Sequence, residues 1–369
     1  MVLTAVRTWV GDPLLVTNPS GSPELARELA SGAATLSALS GLGAGFLVAL
    51  AGIAFGRDLQ TALLALAPCL PFLLFQDAAR YALLARSGGR GAFLNDSLWL
   101  VTSVSLLMAL RITNNDSLPL SVLAFGGSVI PSAVLGARQA KLSPSALHLK
   151  QWVAEARHLA SRISAEFVVY TLSSLTMVTA VIAATASVEA VGFLRSAQTM
   201  MGPMSVWFAA TTIYMQPAMV RRFTSGGKIT RSAISISIAN AFAASAWCVA
   251  VLLVPRRAGV RIFGASWDGA RELLLVIGAL FVLSGIASGA GTMLRAERRM
   301  RDALLARMAT AAVVVPTTIS VGIWGSYQQT LAAFAVCTAF ATIGLWWVAM
   351  HSSIGGRSAP HLSASSRVS

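Results

Sequence analysis

Charged side chains inside long apolar runs are the residues of this sequence able to do chemistry, because an ionisable group in hydrocarbon is costly and faces a cavity or a partner. Asp77 and Arg80 lie three residues apart within one such run, a spacing that lets carboxylate and guanidinium pair on one helix face. That predicts either a self-neutralised structural pair or a gate on an anionic-lipid or proton pathway. Arg195 lies one turn into another run, and Gln198 follows it by three residues. A guanidinium there either snorkels to the interface or faces a cavity, where it can hold pyrophosphate oxygens bidentately. Glu166 and Asn240 are weaker candidates, read as interhelical hydrogen-bonding or boundary residues.

Enzyme chemistry finds no support. His148, His158, His351 and His361 make no HExxH or paired-ligand spacing, and no Walker A loop occurs. Cys69, Cys248 and Cys337 all sit in apolar runs without CxxC spacing, where thiols act as small hydrophobes. No metal and no cofactor is expected. A membrane-embedded glycosyltransferase or polymerase would need clustered carboxylates or a large catalytic loop, and neither is present.

The elements that must position these residues are membrane helices. Over 369 residues, 56% are hydrophobic and 11% charged, too little polar surface for a soluble fold. Ten apolar runs long enough for helical spans cover about 33–56, 59–85, 94–113, 118–138, 163–187, 190–216, 232–254, 271–294, 303–325 and 329–351. The expected class is therefore all-α and polytopic. A net charge of +14 does not imply nucleic acid, because the basic residues lie in short clusters between apolar runs. Alternate connections hold 21 of the 28 basic residues, which by the positive-inside rule places both ends of the chain on the cytoplasmic side. The loop carrying Arg256, Arg257, Arg261 and Arg271 departs from this rule.

Residues 139–162 read as a cytoplasmic amphipathic linker helix on the leaflet surface, with Leu149, Val153, Ala156 and Ala160 on one side. Lys150, Arg157, His158 and Arg162 mark the other. Residues 352–369 read as a disordered, small and polar tail. Pro68, Pro71, Pro131, Pro203 and Pro316 interrupt helices and are candidate kinks. GLGAG at 41–45 and GIASG at 285–289 are read as close helix packing.

A long-period repeat organises the chain. Pro13 aligns with Pro217, Gly56 with Gly264 at an offset of 208, and Arg86 with Arg295. Parallel duplication of this kind is a transporter signature. It predicts a pseudo-two-fold, two-lobed fold, with residues 1–138 as an incomplete first lobe and 163–351 as a six-helix second lobe. The second lobe starts with two helices that lack a counterpart, so the expectation is a twelve-helix protein whose first half begins roughly 40 residues upstream.

The passage FQDAARYALLARSGGRGAFLNDSLW at 75–99 and the stretch AVGFLRSAQTMMGPMSVWFAATTIYMQPAMVRRF at 190–223 resemble the polysaccharide transporters of the MOP flippase superfamily, especially actinobacterial-type members. The resemblance implies a transporter in the cytoplasmic membrane that flips an undecaprenyl-linked oligosaccharide, a cell-surface polysaccharide precursor. It implies membrane lipids and the lipid-linked glycan as partners, no nucleic acid, and a monomer. In this family the first two helices of each lobe line a central cavity, which makes Arg195 and Gln198 its expected contacts and Asp77 with Arg80 a gating or structural pair. Lipid II flippases carry an arginine where Gln198 stands here, so a peptidoglycan precursor is disfavoured. Drug/cation antiporters of the same fold usually carry a carboxylate in the first lobe's first helix, which this chain lacks. The antiporter and a non-functional fragment are the competing readings.

Overall fold

A computed structural model describes residues 6–16, 23–54, 57–87, 89–115 and 117–355, and every regular element among them is helical. A π-helical turn, Arg7–Gly11, runs into α1 (Asp12–Val16). The chain continues through α2 (Pro23–Ile53), α3 (Arg57–Leu66), α4 (Leu70–Ser87), α5 (Arg90–Ile112), α6 (Leu118–Gly127) and α7 (Val129–Gln139). Then come α8 (Ala146–Leu172), α9 (Leu175–Thr185), α10 (Val188–Met200), α11 (Gly202–Thr224) and α12 (Thr230–Leu252). The short α13 (Arg256–Phe263) precedes α14 (Ser266–Ala296), α15 (Met300–Trp324) and α16 (Tyr327–Gly355).

Nine of these described segments are long and apolar enough to cross a membrane. Their outward faces carry Phe46, Phe93, Phe242 and Phe340, each at least 65% exposed, a surface suited to hydrocarbon and not to water. The chain is a multi-pass, all-α membrane protein. A tenth span over 190–216 is not continuous: the helix breaks at Met201, between α10 and α11. Pro203 follows two residues later and brings no backbone N–H to the ladder. The Trp247 indole N–H donates to the Met200 carbonyl at 2.8 Å, satisfying an acceptor at the break.

Two compact units divide the chain. The first takes in residues up to Val168 together with Ile213–Arg221; the second takes in Val169–Thr212 and the residues from Arg222 onward. In the first, α2 packs along α4. Gly41 and Gly45 permit the approach: a Cβ on them would stand 2.5 Å from Pro71 Cα and from the Ala67 carbonyl oxygen. The span containing α4 is jointed by a 3-10 turn, Ala67–Cys69, at Pro68 and Pro71. In the second unit α12 packs along α14, a continuous helix of 31 residues. Pro217 and Pro316 are accommodated inside α11 and α15.

Residues 146–172 contain neither glycine nor proline, so the expected linker and the start of the following span form the single helix α8. Trp152, Ala156, Ala160 and Ile163 are buried, and Gly32 of α2 lies directly against His148 and Trp152. The apolar stripe of α8 thus packs on protein, while Lys150, Arg157, His158 and Arg162 remain exposed. Val153, assigned to that stripe by spacing, is 41% exposed. Of the expected tail, 352–355 continues α16, and 356–369 lies outside the described residues.

Candidate functional site

The first unit gathers its buried polar groups where α4 and α5 meet. The tight turn at Gly89, held at φ 97°, reverses the chain and brings the start of α5 back against α4. Gln76 Nε2 donates to Asn95 Oδ1 at 2.7 Å and to Asp96 Oδ1 at 3.2 Å. Asn95, fully buried, donates from Nδ2 to the Ser132 carbonyl of α7 at 2.7 Å.

Asp77 sits between two guanidinium groups. Arg7 grips it bidentately, Nε on Oδ2 and Nη2 on Oδ1, both at 2.8 Å. Arg80 Nη2 donates to the same Oδ1 at 2.8 Å, and its Nη1 lies 3.6 Å from Asp96 Oδ2. Burial pulls the Arg7 pKa down, but the hydrogen bond and charge of Asp77 more than reverse this and leave it above its ordinary value. Arg80 also lies 5.7 Å over the Tyr81 ring, and that ring is flush against Gly11. The two cations here are met by Asp77 and Asp96, and the charge of Asp12 also acts on Arg7. The cluster ties the segment 7–16 to α4 and leaves neither guanidinium uncompensated for a ligand.

In the second unit Arg195 is exposed on α10. Its Nη1 donates to Gln198 Oε1 at 3.3 Å, and Gln198 Nε2 donates to Thr179 Oγ1 on α9 at 3.2 Å. Thr179 in turn donates to the Leu175 carbonyl at 2.7 Å. This chain of donors fixes the amide so that its oxygen faces the guanidinium. Among the described residues no carboxylate pairs with Arg195. An oriented and unneutralised guanidinium can take the oxygens of a phosphate or pyrophosphate.

The pair expected from spacing, Asp77 with Arg80, is formed; Arg195 and Gln198, expected as cavity contacts, are bonded to each other. Asp77 is also shared with Arg7. Arg7 was counted in the sequence only as a marker of topology. Gln76, Asn95 and Asp96 belonged to the passage at 75–99 without an assigned role. The legible signal was only that they flank one glycine-rich turn, which returns α5 along α4; which residues meet was not, because Gln76 lies much farther from Gly89 than Asn95 and Asp96 do. Glu166 is buried, and buried Asn240 donates from Nδ2 to Ser288 Oγ at 2.8 Å. No group of His, Cys, Asp and Glu able to hold a metal occurs among the described residues.

Comparison with solved structures separates the possible architectures. A MATE in its straight conformation superposes with a TM-score of 0.75 at 13% identity, over 96% of this chain and 85% of that one. The protein has the fold of the MOP-superfamily transporters. A point mutant of a Vibrio cholerae MATE transporter gives a TM-score of 0.76 at 12% identity, covering 96% of this chain and 86% of that chain. A MOP-superfamily transporter from Pyrococcus furiosus, described as having a binding pocket of reverse polarity that suggests a different function, gives 0.73 at 15% identity, with coverage of 95% and 85%. The sequence matches no protein-family model and no curated protein. These likenesses show the fold of the chain alone.

Proposed function

We propose that the protein is a MOP-superfamily transporter of the cytoplasmic membrane that moves a lipid-linked oligosaccharide, with both ends of the chain on the cytoplasmic side. It works as a monomer with membrane lipids and an undecaprenyl-linked glycan as its partners. The observation that carries this reading is Arg195, a guanidinium oriented by Gln198 and matched by no carboxylate among the described residues. A cation left uncompensated on an apolar helix favours an anionic cargo, and the pyrophosphate of a lipid-linked glycan supplies one. Asp77, by contrast, is saturated by Arg7 and Arg80 and is poorly suited to bind a cation.

A second reading, a drug/cation antiporter, is favoured by the MATE transporters among the structural neighbours, one of them described as a multidrug resistance transporter. Reconstituting the full chain in liposomes separates the two. The flippase reading expects lipid-linked oligosaccharide to become accessible in the opposite leaflet, with Arg195→Ala slowing this at least tenfold. Cation-driven drug efflux without glycolipid movement would refute it and support the antiporter.

A further inference from the structure

The loop that departs from the positive-inside pattern folds into α13, an element that the transport reading does not use. It joins two membrane-spanning helices, α12 and α14, so it lies where both leave the hydrocarbon. Its pose is fixed by three contacts with the first turn of α14. Arg256 forms a bidentate pair with Asp268 at the head of α14, its Nη2 2.6 Å from Oδ2 and its Nε 2.9 Å from Oδ1. Gly259 lies directly on the buried Trp267 indole, leaving no room for a side chain. Phe263 stacks on the same indole at 6.0 Å between centroids, with ring planes 24° apart. Gly264, at φ 64°, then closes the helix with its N–H on the Val260 carbonyl. Arg271 adds a bond from Nη2 to the Leu252 carbonyl, tying down the end of α12.

With that face committed, Arg257 and Arg261 share another. They are four residues apart, about one helical turn, which sets their Cβ atoms about 6 Å from each other. Both are exposed, and neither has an ion pair or a hydrogen-bond partner among the described residues. Leu253 at the end of α12 and Ile262 on α13 are 76% and 70% exposed. Among the described residues, a carboxylate neutralises Arg256 and none neutralises this pair. Like charges one turn apart destabilise a helix when nothing compensates them.

We infer that α13 is a headgroup-binding helix, in which Arg257 and Arg261 together hold the phosphate of an anionic phospholipid in the leaflet where α12 and α14 end. Leu253 and Ile262 insert beside the acyl chains. Charge complementarity and depth both select a lipid over a soluble anion: the pair stands where two spanning helices end, on an element that also exposes Ile262 and follows the exposed Leu253. Basic amphipathic helices bind anionic interfaces by this combination of apolar insertion and phosphate contact. Arg257 and Arg261 then serve as a lipid anchor, which accounts for their placement against the topology rule, while Arg256 and Arg271 hold the helix in place. The inference requires only that the chain spans a membrane and is independent of the cargo.

The test uses the full chain purified in a neutral detergent, with melting temperature read as lipid is added. Phosphatidylglycerol is expected to raise the melting temperature of the wild type more than phosphatidylcholine does, and added salt to shrink the difference. Arg257→Gln with Arg261→Gln should remove at least half of the phosphatidylglycerol-specific rise, while Arg257→Lys with Arg261→Lys keeps most of it. Native mass spectrometry counting retained lipids gives the same comparison if melting is obscured, with fewer phosphatidylglycerol adducts on the glutamine variant. A full phosphatidylglycerol response in the glutamine variant overturns the inference. So does an equal rise with inorganic phosphate alone, which would mark a site for free anions.

Discussion

The two units use corresponding helices in opposite ways. The 208-residue offset that aligns Gly56 with Gly264 sets Gly285 opposite Asp77 and Ser288 opposite Arg80. In the first unit these positions on α4 hold a buried ion-pair network that reaches Arg7 and Asp96. In the second, α14 has no charge there and is joined to α12 by close packing and neutral hydrogen bonds. Gly285 lies against the Asn240 backbone, and Gly289 against Ala233 and Ser237. The Ile286 carbonyl accepts from both Ser237 Oγ, at 2.6 Å, and Trp346 Nε1, at 2.9 Å. The glycines have changed sides as well: Gly41 and Gly45 lie on α2 in the first unit, but Gly285 and Gly289 lie on α14 in the second. Both sides of the repeat use close approach at glycine, and only the first adds a charge network to it. Only the second unit, through Arg195, retains a functional candidate that no carboxylate matches among the described residues.

Several substitutions would break or sharpen this contrast. The largest effect is expected from Asp77→Asn, which leaves Arg7 and Arg80 without their shared counter-charge; loss of one partner from such a buried pair costs about 3–5 kcal/mol. Denaturant unfolding should show that loss, and adding Arg7→Met should recover part of it. Were Asp77→Asn neutral, the charge network would not be holding α4. Next, Gly289→Val forces apart α12 and α14 and should destabilise by about 1–3 kcal/mol. Gly291→Ala is the control, because no atom lies within 4 Å of the added Cβ; equal melting temperatures for the two would refute the seam.

Smaller effects test the hydrogen bonds. Trp346→Phe removes one of two donors on the Ile286 carbonyl and should cost about 1 kcal/mol, because Ser237 still satisfies that acceptor. The smallest is a pH effect at Glu297, between α14 and α15. Burial pushes its carboxyl up, against the opposing hydrogen bond and charge of Arg299. The sign follows from linkage: a carboxyl raised in the folded state binds its proton more tightly there than in the unfolded chain. Its stabilising effect is therefore full at low pH and lost as pH rises through the raised value. Melting between about pH 4 and about pH 8 should be flatter in Glu297→Gln than in the wild type.

Much of this was legible in the residues. Run length and composition suffice for the all-helical membrane class, since hydrocarbon thickness sets a minimum apolar stretch. GIASG and GLGAG announced close helix packing because only glycine admits a neighbour's backbone at that distance. The pairing of Asp77 with Arg80 followed from helical periodicity. The break at Met201 was harder to read, because Pro203 is tolerated inside many membrane helices and the stabilising Trp247 contact comes from 47 residues away. Arg7 was equally hidden: its partner lies 70 residues on, and a lone arginine near an apolar run reads as topology. Amphipathic spacing in α8 found the apolar stripe but not what covers it, since protein and lipid leave the same period.

The central claim is that charge neutralised in the first unit is structural, while the oriented Arg195 of the second receives an anion. The direct measurement is equilibrium binding of a short-chain polyprenyl-pyrophosphate sugar to the purified full chain and its Arg195 variants. Loss of a charge-assisted bond predicts about 10- to 100-fold weaker binding for Arg195→Ala, with Arg195→Lys in between. Wild-type affinity in Arg195→Ala would contradict the account.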